Sequence, residues 1–301
     1  MKKYALLFIA GVTIPVWGWS QEEFTFNVDD MPGEHLKMSA VPQKESSEAK
    51  EQIYKLNWAV DAPITAVGSI WSGYAFTKIY GKDPIPEEKI AALDKNDING
   101  FDRWAAGKRD EKVEDMSDYL FYGSMPLPAL LFIDKKIRKD AAKVGFLYWE
   151  SFAITGMLYT GSTYFTNRYR PETYDNSLSI SERTNGNYKN SFFAGHVAVV
   201  ANATFFMAKV YHDYHPESNF RYVLWGTAAV ATGTMVYMRH VAGKHFPSDL
   251  IVGTAVGTLS GILVPHFHKL RKGKDQTWSI GPSINPYDAS GAGLSFTYRF
   301  K

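Results

Sequence analysis

The sequence predicts an all-α protein: a bundle of about five to six long helices with a site at one end, followed by a short C-terminal β-hairpin. Three observations predict it. Five apolar runs of about 16–23 residues, Asp118–Ile133, Val144–Thr166, Phe193–Tyr211, Tyr222–Met238 and Leu250–Phe267, have the length of a fully buried or bilayer-crossing helix. Small residues recur inside them, as in Gly226-Thr227-Ala228-Ala229 and Gly253-x-x-x-Gly257, a spacing that lets helices approach closely. The tail then changes period: Thr277–Ile284 and Gly293–Phe300 alternate, with Asn285-Pro286 and Gly291 between them.

Taken in order, residues 1–20 read as a secretory signal. Lys2 and Lys3 precede an apolar core from Tyr4 to Val16, and Gly18-Trp19-Ser20 forms a small-residue cleavage site. An uncleaved anchor is the alternative. Residues 21–117 are a polar lead-in with accessory helices: Pro63–Tyr80 is apolar and aromatic, Gly81–Ser117 is charged, and Asp97–Trp104 has the spacing of a short amphipathic element. Residues 118–270 hold the bundle and residues 271–301 the hairpin.

The bulk numbers exclude some functions. The formal net charge over 301 residues is +2, which argues against a nucleic-acid partner. The absence of cysteine rules out disulfides, thiolate chemistry and cysteine-ligated metals. Aromatics make up 15% of the chain, which suits either an aromatic core or membrane interfaces.

Orientation follows from parity. The Asp134–Lys143 connection carries Lys135, Lys136, Arg138, Lys139 and Lys143, an inside-facing signal if its flanks cross a membrane. The Asn167–Asn190 and Arg239–Asp249 connections then both face outward. With a cleaved signal this requires that Pro63–Tyr80 does not cross. Five crossings or a wholly periplasmic bundle are the consistent arrangements, and both expect an exported cell-envelope protein whose site faces the periplasm.

The chemistry gathers at those outward ends. Arg170-Pro171 follows the second of the five runs, Gly195-His196 opens the third, and Arg239-x5-His245-x3-Asp249 joins the last two. If consecutive runs are antiparallel, two arginines, two histidines and an aspartate converge. That set suits phosphoryl transfer. Arg170 and Arg239 fork onto phosphate oxygens. His245 attacks phosphorus, Asp249 holds the proton on the far ring nitrogen, and His196 protonates the leaving oxygen. Gly195, at a helix start, leaves backbone N–H groups free for an anion. The set calls for no metal and no cofactor.

The order Arg-Pro, Gly-His, Arg-x5-His-x3-Asp resembles the type 2 phosphatidic acid phosphatase superfamily, whose pattern is Lys-x6-Arg-Pro, Pro-Ser-Gly-His and Ser-Arg-x5-His-x3-Asp. The likeness covers about 118–268. It implies a helical bundle and a metal-independent phosphatase, many of whose relatives act on lipid phosphates, with vanadium haloperoxidases as kin. It also implies His245 as nucleophile, Asp249 as its orienter, His196 as acid, and Arg170 and Arg239 as phosphate ligands. Among the departures from the pattern, Thr163 stands for the lysine, Ala194 for the serine of the second motif, and Met238 for the serine of the third. Arg168 is the candidate to supply the missing charge. The expected partner is a phosphorylated lipid or small phosphate ester, with a membrane. The alternatives are a vanadate-dependent haloperoxidase and a catalytically weakened or inactive envelope protein of the same fold.

Other features read as structural. Gly253-x-x-x-Gly257 is a packing stripe, and His212-Asp213-Tyr214-His215 is a solvated turn. Lys244 either attracts phosphate or is solvated, and His240, His266 and His268 show no partner in the sequence.

Overall fold

A twenty-residue helix, α6 (Gly195–Tyr214), organises the molecule, because it is apolar on nearly every face and so has to be enclosed. The computed structural model describes residues 52–270, 278–284 and 292–298; the expected signal, 1–20, lies outside the described residues. Four other long helices accompany α6: α1 (Trp58–Ile79), α5 (Ala141–Phe165), α7 (Phe220–Val241) and α8 (Pro247–His268). Shorter helices are α2 (Glu87–Ala91), α3 (Glu111–Ser124) and α4 (Lys135–Arg138).

The closest packing in the bundle follows from missing side chains. A Cβ at Gly253, Gly257 or Gly261 of α8 would stand 2.5, 2.1 or 2.6 Å from the carbonyl oxygens of Ala194, Ala198 and Asn202 on α6. The small-residue stripe is therefore the α6–α8 seam, as expected. Asn202 ties α6 to α5: its amide donates to Thr155 Oγ1 at 2.9 Å and to the Ser151 carbonyl at 3.2 Å. Such bonds hold buried helices together without an apolar driving force. α1 lies on α5, with Gly68 against the Ala153 backbone.

Three expectations change. The Asp118–Ile133 run is not one helix. α3 ends at Ser124, and Leu127–Ile133 forms a 3-10 turn, because Pro126 and Pro128 interrupt the α-helical hydrogen bonds. The His212–His215 stretch is not a solvated turn. Asp213 is buried and accepts from Tyr54 at 2.8 Å and Lys269 at 2.7 Å, with Lys209 also paired to it. In the tail, Trp278–Ile284 and Ala292–Tyr298 pair antiparallel from Trp278↔Tyr298 to Ile284↔Ala292. Residues 285–291 lie outside the described residues, so the tail is seen as two paired strands and not as a closed hairpin. Among the described residues, one helix, α8, is long and apolar enough to cross a membrane by length and composition.

Candidate active site

The C-terminal ends of α5 and α7 and the N-terminal starts of α6 and α8 meet at one end of the bundle, and backbone hydrogen bonds pin them there. Ala194 N–H donates to the Asp249 carbonyl at 3.1 Å, and Glu172 N–H donates to the Gly243 carbonyl at 3.0 Å. Gly243 has φ +68°, and a Cβ on it would lie 1.7 Å from the Lys108 carbonyl oxygen. Only glycine lets the chain turn so sharply there between Arg239 and His245.

His245 is buried, and its Nδ1 sits 2.6 Å from the Ser191 carbonyl oxygen. A carbonyl only accepts, so Nδ1 carries the proton and Nε2 keeps its lone pair. Burial, and then the positive charge of Arg239 and Arg170, hold this ring far less basic than an ordinary histidine, and His196 adds to the effect. Both arginines and His196 are thus near enough to the ring to act on it electrostatically.

Each arginine is only partly paired. Arg239 is buried, donates to Ser117 Oγ at 2.9 Å and lies 3.9 Å from Asp118; Arg170 lies 3.5 Å from Glu172. The Nε–H of each is buried without a hydrogen-bond acceptor. A buried donor left unpaired costs about 1–3 kcal/mol, so both gain from an incoming oxyanion. His196 Nε2 lies 3.2 Å from Asp118 Oδ1. α6 starts at Gly195, and its N-cap residue Ala194 supplies no side-chain hydrogen bond, so the first-turn N–H groups have no capping side chain.

Asp249 and Arg168 do not stand where the sequence put them. No hydrogen bond joins Asp249 to His245 among the described residues. The Asp249 carboxylate accepts from Ser191 Oγ at 2.6 Å and Phe246 N–H at 2.9 Å, and it pairs with Arg168. It reaches His245 at one remove, since Ser191 gives its hydroxyl to Asp249 and its carbonyl to the ring. Arg168 is held between carboxylates: it pairs with Asp249, lies 2.6 Å from Asp102, and stacks 4.8 Å from the Phe246 ring. With two carboxylates already on it, it acts as a brace for the α8 start.

Lys244 is buried rather than solvated, bridging Glu172 at 2.8 Å and Glu114 at 2.7 Å. His240 does have a partner: its Nε2 is 2.8 Å from Lys108 Nζ, beside Trp104. Thr163, at the lysine position of the family pattern, donates its hydroxyl to the Phe192 carbonyl at 3.1 Å and so steadies the approach to α6.

Sequence reasoning missed Ser191, Asp102, Asp118, Glu114 and Glu172. Asp102 is fully buried and accepts from Ser248 N–H at 2.9 Å and Ser248 Oγ at 2.6 Å, which anchors the first turn of α8. For Asp102 and Glu114 the charged Gly81–Ser117 stretch was the available signal, since a bundle end with so many cations needs carboxylates near it.

Residues 145–272 match the family model described as PAP2 superfamily. The crystal structure of the first transmembrane PAP2 type phosphatidylglycerolphosphate phosphatase from Bacillus subtilis is similar at 16% identity and a TM-score of 0.37, the match covering 69% of this chain and 94% of that one. No curated protein matches the chain. The matched span contains Arg170, His196, Arg239, His245 and Asp249, and over that span the chain is similar to the PAP2 superfamily.

Proposed function

We propose that the protein is a metal-independent phosphatase that hydrolyses a phosphate monoester or pyrophosphate, borne on a lipid, through a phosphohistidine. The observation that carries this reading is the His245–Ser191 contact, which commits Nδ1–H and leaves Nε2 as the free lone pair of a neutral ring near the buried Arg239 and the partly buried Arg170.

In the first half, a new Nε2–P bond forms as the P–O bond to the leaving group breaks. Arg170 and Arg239 hold the non-bridging oxygens through their unpaired Nε–H groups, and the uncapped start of α6 adds backbone N–H donors. His196 gives its proton to the leaving oxygen, with Asp118 the carboxylate that supports the imidazolium form. In the second half, His196 takes a proton from water, whose oxygen bonds to phosphorus as the N–P bond breaks. Phosphate leaves and His245 is restored.

The lipid part rests on the outer faces of the long helices. Val67, Ile70, Val230, Ile251, Leu259 and Phe267 are all exposed, apolar surface suited to hydrocarbon. The reading therefore includes an integral membrane protein of the cell envelope with its site on the periplasmic side.

A second reading, a non-catalytic binder of anionic lipid, draws on Thr163 and Ala194 and on the carboxylates already paired with the arginines. One experiment separates the two. Detergent-purified protein is assayed for inorganic phosphate released from phosphatidic acid, phosphatidylglycerol phosphate and an isoprenoid pyrophosphate, beside His245→Ala. Release that disappears in the variant, with an acid-labile phosphoprotein trapped only in wild type, supports the enzyme. Equal inactivity of both proteins on every substrate rejects it.

A further inference from the structure

At the end of α8 remote from Asp249 lies a second cluster of charged groups that the proposed reaction does not use. Asp61 of α1, Glu150 of α5 and His268 of α8 bring two carboxylate oxygens and a ring nitrogen within 4.8 Å of one another. His268 is 19 residues beyond Asp249, so at ~1.5 Å per residue it stands roughly 28 Å from the phosphate site.

The ring is fixed. His268 Nδ1 lies 2.7 Å from the Val264 carbonyl, which only accepts, so Nδ1 carries a proton and Nε2 faces the acids. Nε2 is 3.1 Å from Asp61 Oδ2 and 3.7 Å from Glu150 Oε2. A tetrahedral ion bound at about 2.1 Å places its ligand atoms roughly 3.4 Å apart, which these separations bracket. A backbone carbonyl on the far nitrogen is the usual orienting partner of a metal-bound histidine.

Glu150 distinguishes a cation site from a simple ion pair. Its side chain is 4% exposed, and Oε2 has no hydrogen-bond partner although it points into the cluster. A protonated His268 has a single Nε2–H and gives it to the nearer Asp61, leaving a buried carboxylate oxygen unsatisfied. A divalent cation bonds to all three atoms and offsets both negative charges. We propose that Asp61, Glu150 and His268 bind a divalent transition-metal ion of the zinc class, as a structural site that clamps α1, α5 and α8 together. One imidazole and two carboxylates are a donor set such ions accept. The position suits a clamp, because residues 53–55 pair with 268–270 beside it: Lys55 N–H donates to the His268 carbonyl at 2.9 Å, and Leu270 N–H to the Ile53 carbonyl at 2.8 Å.

The test uses full-length protein in detergent, with a tag free of histidine, stripped by a chelator and titrated with Zn2+ by calorimetry. The expected result is a single tight equivalent that raises the melting temperature of wild type and of His245→Ala, and that is lost in Glu150→Gln and His268→Gln. Co2+ on the wild type supplies a readout that needs no variant, with an absorption spectrum of mixed nitrogen and oxygen ligation expected in both wild type and His245→Ala. Absence of Zn2+ binding by wild type overturns the proposal and makes the cluster an ion pair beside a protonated Glu150. Binding that survives Glu150→Gln, or that vanishes in His245→Ala, overturns it as well by placing the metal elsewhere.

Discussion

Asp118 Oδ1 stands 3.2 Å from His196 Nε2 and 3.9 Å from Arg239 Nη1, so one carboxylate touches both the acid and a phosphate ligand of the proposed reaction. Its hydrogen bond to His196 holds the Asp118 carboxyl below the usual range, and the charge so retained works against the burial and the Arg239 charge that disfavour an imidazolium at His196. Asp118→Asn removes that support and the negative charge beside Arg239. We expect kcat to fall by about 10²-fold on an alkyl phosphate, in the range of general-acid effects, with KM unchanged or lower. An aryl phosphate, whose leaving oxygen needs less help, should lose much less. Equal losses on both substrates would make Asp118 a packing residue only.

The environment of His245 sets a pH dependence with a definite sign. Burial first, then Arg239 and Arg170, lower its basicity in the folded protein, while the unfolded chain has the ordinary value near ~6.5. Below that pH the unfolded state binds more protons than the native state, so stability declines as pH falls through ~6.5 toward the folded value. The nucleophile itself stays neutral over the same interval. The acid limb of kcat/KM is therefore expected below pH ~6.5, and a limb at or above that value in a pH–rate profile would contradict the derived tautomer and charge.

What could be read from the sequence was what lies close along the chain. The glycine stripe on α8, the spacing from Arg239 to His245 and the place of Gly195 at a helix start all follow from local pattern, and the α6–α8 seam bears out the first of them. The bracing of the site could not be read, because its partners are far apart in sequence: Ser191 is 58 residues from Asp249, and Asp102 is 146 from Ser248. Asp213 was misread for the same reason. Four polar residues in a row suggest a solvated turn, yet Tyr54 and Lys269 arrive from 159 and 56 residues away to cover it. Charge pattern alone also could not show that Arg168 is already held by two carboxylates.

That bracing makes Arg168 a test of stability against binding. Arg168→Ala leaves the fully buried Asp249 and Asp102 without their shared cation. Because the arginine side chain is 26% exposed, the expected loss is about 2–4 kcal/mol, less than for a fully buried pair. Arg168→Lys should recover part of it. Chemical or thermal melts measure the loss, and at temperatures where the variant is folded its KM should stay near that of wild type. A raised KM with unchanged melting would instead make Arg168 a phosphate ligand.

Ala194 stands where the family pattern has a serine, and restoring the hydroxyl is a direct test of the anion site. The residue caps α6 without a side-chain hydrogen bond, while its own N–H is bonded to Asp249. A serine there can accept from a first-turn N–H when no substrate is bound, and can turn its O–H toward a phosphate oxygen when one is. The first effect is worth about 1 kcal/mol of stability. The second is a fraction of the roughly 2–4 kcal/mol that a well-placed donor supplies to a transition state, so kcat/KM should rise by about 10-fold. Thr163→Lys should show no such gain, because the Thr163 hydroxyl already holds the Phe192 carbonyl and a lysine there breaks that bond. An Ala194→Ser protein that melts higher but releases phosphate no faster would mean that the substrate phosphate does not rest on the start of α6.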